Sequence, residues 1–193
     1  MKYIEQRLTD SNKYTRYEVK KIMYVIKTFS ADTSKILILG IIFHKHIVAY
    51  LVALTVLFLL RSFSGGIHNN TYWGCFLTSF TYFLLSIIIL PQIAVSFPLK
   101  VLLMTACIIL CEWIGPVTSK YRPPLSPAKI SVCKSITIST IFAFIVITNI
   151  IPESPYTSIG FWVIILHTLQ LMLAKLIVVV KQKKKEKGGA SEC

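Results

Sequence analysis

Charge is what this chain has little of. Lysine, arginine, aspartate and glutamate make up 15% of its 193 residues, against about 25% in an ordinary soluble domain. The deficit is concentrated: residues 69–99, 135–152 and 154–174 carry no charged side chain at all. Windows of that length point away from a soluble globule, because roughly 20 mostly apolar residues let a helix span a bilayer. Alternation is lacking too. Runs such as "FLLSIIIL" and "FAFIVITNII" are continuously apolar, whereas a membrane β-barrel needs ~10-residue alternating segments. There is no CxxC pair, and the cysteines (Cys75, Cys107, Cys111, Cys133 and Cys193) are odd in number, which argues against a disulfide framework. No metal or other cofactor is expected. Cys107, Cys111 and Cys133 have no histidine near them in sequence, and His44 and His46 are too few for a closed site. No apolar stretch with a small-residue cleavage site opens the chain, so no cleavable leader is expected.

What is present is grease and basic charge. The chain is 54% hydrophobic with a formal net charge of +13, and its mean hydropathy is +0.67. The predicted fold is an all-α integral membrane protein with four clear transmembrane helices, at about 72–95, 97–113, 135–151 and 159–180. A broken hydrophobic pair, 36–60, precedes them, interrupted by His44-Lys45-His46. Each half is short for a span, which predicts a helical hairpin or a re-entrant pair. Residues 1–35 are mixed. Their "YTRYEVKKIMYVIKTF" reads as a basic amphipathic helix, lying on the membrane or packed on the protein's own cytoplasmic side. The domain organisation is thus a basic N-terminal region, 1–35; a polytopic membrane domain, 36–180; and a basic flexible cytoplasmic tail, 181–193.

Loop charge orients the chain. "GPVTSKYRPPLSPAKISVCK" carries four Lys/Arg and "KQKKKEK" carries five, whereas "PESPYTS" carries none. Basic loops face the cytoplasm, so the 114–134 loop, the tail and the segment around residue 68 are expected inside, and 36–60 crosses twice or not at all. Such a surface suits anionic lipids or an acidic peptide. No nucleic-acid partner is expected. Glu112 and His167, polar residues within or near spans, are expected to pair between helices.

Residues 61–75, "RSFSGGIHNNTYWGC", concentrate reactive side chains at the edge of a span. A helix opening at Asn70 or Thr71, both good N-caps, puts Cys75 in its first turns, where the positive end of the helix dipole favours a thiolate. His68 then lies on the preceding loop, which Gly65 and Gly66 allow to turn tightly. A thiolate beside an imidazole suffices for covalent acyl transfer; the plain alternative is that both residues pack.

The block Arg61-x4-Gly66-x-His68-x6-Cys75 resembles the accessory gene regulator B (AgrB) family, membrane cysteine endopeptidases of Gram-positive bacteria. Chain length, the basic N-terminal region and "GPVTSKYRPPL" are similar as well. The resemblance implies a quorum-sensing enzyme in the bacterial cell membrane, with its catalytic residues on the cytoplasmic side. Its substrate would be an AgrD-like propeptide with an amphipathic N-terminus and an acidic tail. Cys75 would attack at the tail junction and His68 would act as base, then acid. The peptide, left as an acyl-thioester, would close to a thiolactone or lactone. Arg61 would orient a substrate carboxylate or hold the thiolate, unless it anchors headgroups; Gly66 would make a turn; Ser64 or Asn69 would orient His68. A homodimer is expected on the same ground. The competing readings are a non-enzymatic transporter or export subunit and a cysteine acyltransferase acting on lipid.

Overall fold

The computed structural model describes residues 16–66, 71–117, 126–151 and 154–189. Every long element in them is helical: α1 (Arg16–Ile42), α2 (Ile47–Ser64), α3 (Tyr72–Leu84), α4 (Phe97–Ile114), α5 (Pro127–Ile150) and α6 (Pro155–Gly189). A 3-10 turn at His44–His46 separates α1 from α2, and a π turn at Leu85–Ile89 followed by a 3-10 turn at Leu90–Gln92 extends α3. Five segments are long and apolar enough to cross a membrane: His44–Ser64, Tyr72–Gln92, Phe97–Ile114, Pro127–Ile150 and Pro155–Val180. The chain is an all-α membrane protein. Its outward side chains fit a hydrocarbon solvent, with Trp73, Trp113 and Ile150 each more than 70% exposed.

The chain divides into two units, 1–45 and 46–193. In the first, α1 is basic through Lys27 and closes an ion pair between Lys35 and Asp32 at 2.7 Å. It then runs straight into the apolar 36–42 stretch, with Leu37 and Ile41 exposed. The expected break at His44–His46 is present, but its flanks are unequal. Residues 36–42 finish the 27-residue α1, and His44–Ser64 is long enough to cross alone. Sequence reading stopped that segment at Leu60 because Arg61 follows; in the structure Arg61 lies in the last turn of α2, where a cation suits the negative end of the helix dipole.

In the second unit α6 is the hub, packing against α2, α4, α5 and the π turn. The core joins Leu60 of α2, Met104 and Cys111 of α4, Ile141 and Phe144 of α5, and Phe161, Ile164 and Leu171 of α6. Pro91 explains the end of the second span. It donates no N–H, and its ring crowds the carbonyl four residues back; the helix widens into the π turn just before it. The third clear span starts earlier than expected, at Pro127, because Ser126 caps α5 by accepting the Lys129 N–H at 3.4 Å. Lys134, on that first stretch, reaches Glu112 of α4 at 3.0 Å, so Glu112 does pair between helices. The final helix continues through the basic run to Gly189.

Two contacts sort the helix ends. Gly65, after α2, forms a parallel bridge with Val117, after α4; Ile93, Phe97, Ser154 and Pro155 line one cavity at the opposite end. Close approach of α5 and α6 depends on Gly160, where a Cβ would strike the Phe144 ring. Gly160→Val is therefore expected to lose about 1–3 kcal/mol of stability, read as a lower melting midpoint in detergent, with Gly160→Ala intermediate.

Candidate active site

The site begins where α2 ends. Gly65 has φ 80° and ψ −146°, a conformation essentially reserved for glycine, and its N–H closes the helix on the Arg61 carbonyl at 3.1 Å. Gly66 follows with φ 155°. Gly115, with φ 68°, ends α4 by donating to the Cys111 carbonyl at 3.0 Å and turns Pro116 and Val117 alongside this corner. There the Val117 N–H donates to the Ser64 carbonyl at 2.9 Å. A Cβ on Gly65 would collide with the Val117 carbonyl, so the two backbones lie closer than any side chain at 65 permits.

The Ser64 side chain points the other way, into the bundle. Ser64 and His167 are 3% and 1% exposed. The Ser64 hydroxyl donates to the Leu60 carbonyl at 2.7 Å and lies 2.6 Å from His167 Nε2 on α6. One hydroxyl has one proton, so Nε2–H is the donor to Ser64 Oγ, and Nδ1 is left as a buried acceptor with no hydrogen-bond partner. His167 thus pairs between helices, as its sequence context predicted. The same contact engages the hydroxyl that sequence reading offered as an orienting group for His68.

Cys75 sits at the start of α3. Thr71 is the N-cap, its Oγ1 accepting the Gly74 N–H at 3.2 Å, and the Cys75 N–H donates to the Thr71 carbonyl at 3.1 Å, the first rung of the helix. The thiol is half-buried. Tyr82 and Ser86, seven and eleven residues on, share its face, and both are buried. The Tyr82 hydroxyl donates to the Val163 carbonyl of α6 at 2.6 Å. Tyr50, early in α2, stacks on Phe83, late in α3, at 5.0 Å, while Ser64 meets His167; so α3 runs antiparallel to α2 and α6. Cys75 is therefore about 10 Å back from Tyr82 along the axis of α3.

Arg61, Gly66 and Gln170 gather where α2 ends. Arg61 Nε and Gln170 Oε1 each lie 3.9 Å from where a Cβ on Gly66 would be. Gln170 Oε1 is buried without a hydrogen-bond partner. Of the four residues singled out from the sequence, Arg61, Gly66 and Cys75 thus sit at one end of the bundle; His68 lies outside the described residues, as do Asn69 and Asn70. Sequence reading passed over Gln170, whose signal was a polar side chain inside a charge-free window. It also passed over Tyr82, which nothing in sequence sets apart from the other aromatics. Cys107 and Cys111 are buried on α4, with Cys111 Sγ 3.8 Å from Thr168 Oγ1.

A family model, Accessory gene regulator B, matches residues 1–171. The chain belongs to the AgrB family. It is also similar to a protein described as AgrB-like from Clostridium beijerinckii, 25% identical over 130 residues, which are 65% of this chain and 64% of that protein. The chain thus spans just under two thirds of that relative's length. No solved structure matches. Membership of the AgrB family places the chain in the accessory gene regulator system as a multi-pass membrane protein of bacteria.

Proposed function

We propose that the chain is a membrane-embedded cysteine endopeptidase that cuts the acidic tail from an AgrD-type quorum-sensing propeptide and cyclises what remains. The observation that carries the reading is Cys75. It is a half-buried thiol one turn into a capped helix, in a chain of the AgrB family.

The chemistry balances without water. His68 takes the Cys75 proton, and the thiolate attacks the carbonyl at the tail junction. The tetrahedral adduct collapses as the scissile C–N bond breaks, and the imidazolium returns its proton to the leaving amine. The peptide is now a thioester on Cys75. A cysteine or serine side chain within the peptide attacks that thioester, closing a thiolactone or lactone and regenerating the Cys75 thiol. Arg61 orients the substrate, its charge suiting an acidic tail. Exchange between two thioesters is nearly neutral, whereas making the first one from an amide is uphill, so removal of the tail or of the product drives the sequence.

The sidedness rests on charge. The end of the bundle that holds the Gly65–Val117 bridge also receives Arg61, Lys129, Lys134 and the basic run after Val180, and basic ends face the cytoplasm. Cys75 then works at the inner leaflet, where a newly made propeptide arrives.

The test is the intermediate. The short reading frame adjacent to this chain's gene is expected to encode the propeptide. With that propeptide as substrate, acid-quenched enzyme should gain the mass of the tail-less fragment; hydroxylamine should release it, and added tail peptide should shorten its lifetime by restoring precursor. A fatty-acyl mass on Cys75, or no adduct in an enzyme that still cuts, would sink the proposal.

A further inference from the structure

Two side chains outside the proposed chemistry hold the corner where α2 ends. We infer that Ser64 and His167 are positioning residues: their hydrogen bond, between the end of α2 and the middle of α6, sets where the Gly65–Gly66 turn departs from the bundle and so holds Gly66 beside Arg61 and Gln170. The inference rests on the acyl-transfer reading above.

The corner is held from two sides. The Ser64 side chain reaches inward to His167 Nε2 at 2.6 Å, while its carbonyl is held by the Val117 N–H at 2.9 Å. Between them these bonds fix both the rotation and the translation of the residue that launches the turn. Ser64 Oγ donates to the Leu60 carbonyl at 2.7 Å and has His167 Nε2 as its other partner. Both are buried, and in a membrane interior a polar group that loses its partner finds no water to replace it. The α6 end of the bond is anchored in turn, because α6 packs against three other helices and the π turn. An apolar pair at these positions would fill the space but would leave α2 able to rotate about its axis; a hydrogen bond of this length specifies direction as well as distance.

The role assigned to His167 is holding rather than proton transfer. Its Nε2 is committed to Ser64, and the ring is 1% exposed. Positioning is nevertheless worth a great deal in covalent catalysis, since displacing a reacting group by about 1 Å costs on the order of 100-fold.

The experiment compares four variants in proteoliposomes with the propeptide from the adjacent reading frame: Ser64→Ala, His167→Leu, His167→Gln and the double variant Ser64→Ala/His167→Leu. Glutamine places its amide nitrogen about where Nε2 stands and can still donate to Ser64. Ser64→Ala and His167→Leu are expected to lower kcat by roughly 10- to 100-fold with KM within about twofold. The double variant should be no slower than the slower single, because both remove one bond. His167→Gln should recover to within about threefold of the parent. Several outcomes overturn the inference: a Ser64→Ala protein that cuts at the parent rate, a double variant whose losses multiply, glutamine no better than leucine, or a Ser64→Ala protein that no longer inserts and melts cooperatively, since the bond would then serve folding alone. Cys75→Ala keeps the two proposals apart. If it still cuts, the acyl-transfer reading falls; if it does not and Ser64→Ala is unaffected, only the positioning role falls.

Discussion

Cys75→Ala is expected to leave the propeptide uncut, with a rate loss on the order of 10,000-fold or more, while the protein inserts and melts as the parent does. The second half of that expectation follows from where the residue sits. The Cys75 N–H closes the first rung of α3 on the Thr71 carbonyl at 3.1 Å. Alanine makes the same bond and is the better helix former. The Thr71 cap on the Gly74 N–H is likewise untouched. The substitution therefore separates chemistry from architecture more cleanly than one at a buried position such as Cys111. Cys75→Ser is expected to fall nearly as far, because an alcohol supplies far less anion than a thiol at neutral pH. Residual cleavage by Cys75→Ala within about tenfold of the parent would leave packing as the residue's role, and a transporter or export subunit as the better reading of the chain.

The membrane architecture was legible in sequence because it depends on composition over long windows. A stretch of 21 uncharged or nearly uncharged residues has few options in a bilayer, and three of the four later spans lie on the charge-free windows. The break at His44–His46 was visible for the same reason. Helix ends were less legible. Arg61 and Lys134 each look like boundaries in a hydropathy scan, yet both lie inside helices, one in a last turn facing the helix dipole and the other paired with Glu112 across to α4. A charge that finds a partner at the rim of the membrane does not stop a helix.

At the site the division is between local and distant partners. Thr71 as the cap of α3 was readable, since its partner Gly74 is three residues away. The Ser64–His167 bond spans 103 residues, and no local pattern announces it; a polar residue in an apolar window says that a partner exists without saying which. The Tyr82 bond to Val163 is hidden in the same way. So is the closeness of Gly65 to Val117, which changes the ranking of the two glycines.

Gly65→Ala is expected to do far more damage than Gly66→Ala, although the spacing of the block singled out Gly66. Two independent penalties fall on Gly65. Its φ of 80° and ψ of −146° lie in a region that costs a residue with a Cβ about 1–3 kcal/mol. The added methyl also runs into the Val117 carbonyl, a backbone atom that can retreat only by loosening the Val117–Ser64 hydrogen bond, itself worth about 1 kcal/mol. The corner should lose on the order of 3–5 kcal/mol, and the melting midpoint should drop by roughly 10 °C. Cleavage should fall by about 100-fold or more in whatever protein remains folded. Gly66→Ala meets only the first kind of penalty, because the nearest atoms to its new methyl are Arg61 Nε and Gln170 Oε1, each at 3.9 Å. Its midpoint should move by no more than about half as much. Melting and cutting then separate two meanings of a required glycine. If Gly66→Ala melts near the parent yet fails to cut, the space beside Arg61 and Gln170 is where the substrate lies. If Gly65→Ala melts and cuts like the parent, the Val117 contact does not hold the corner, and the geometry argued for the end of α2 is wrong.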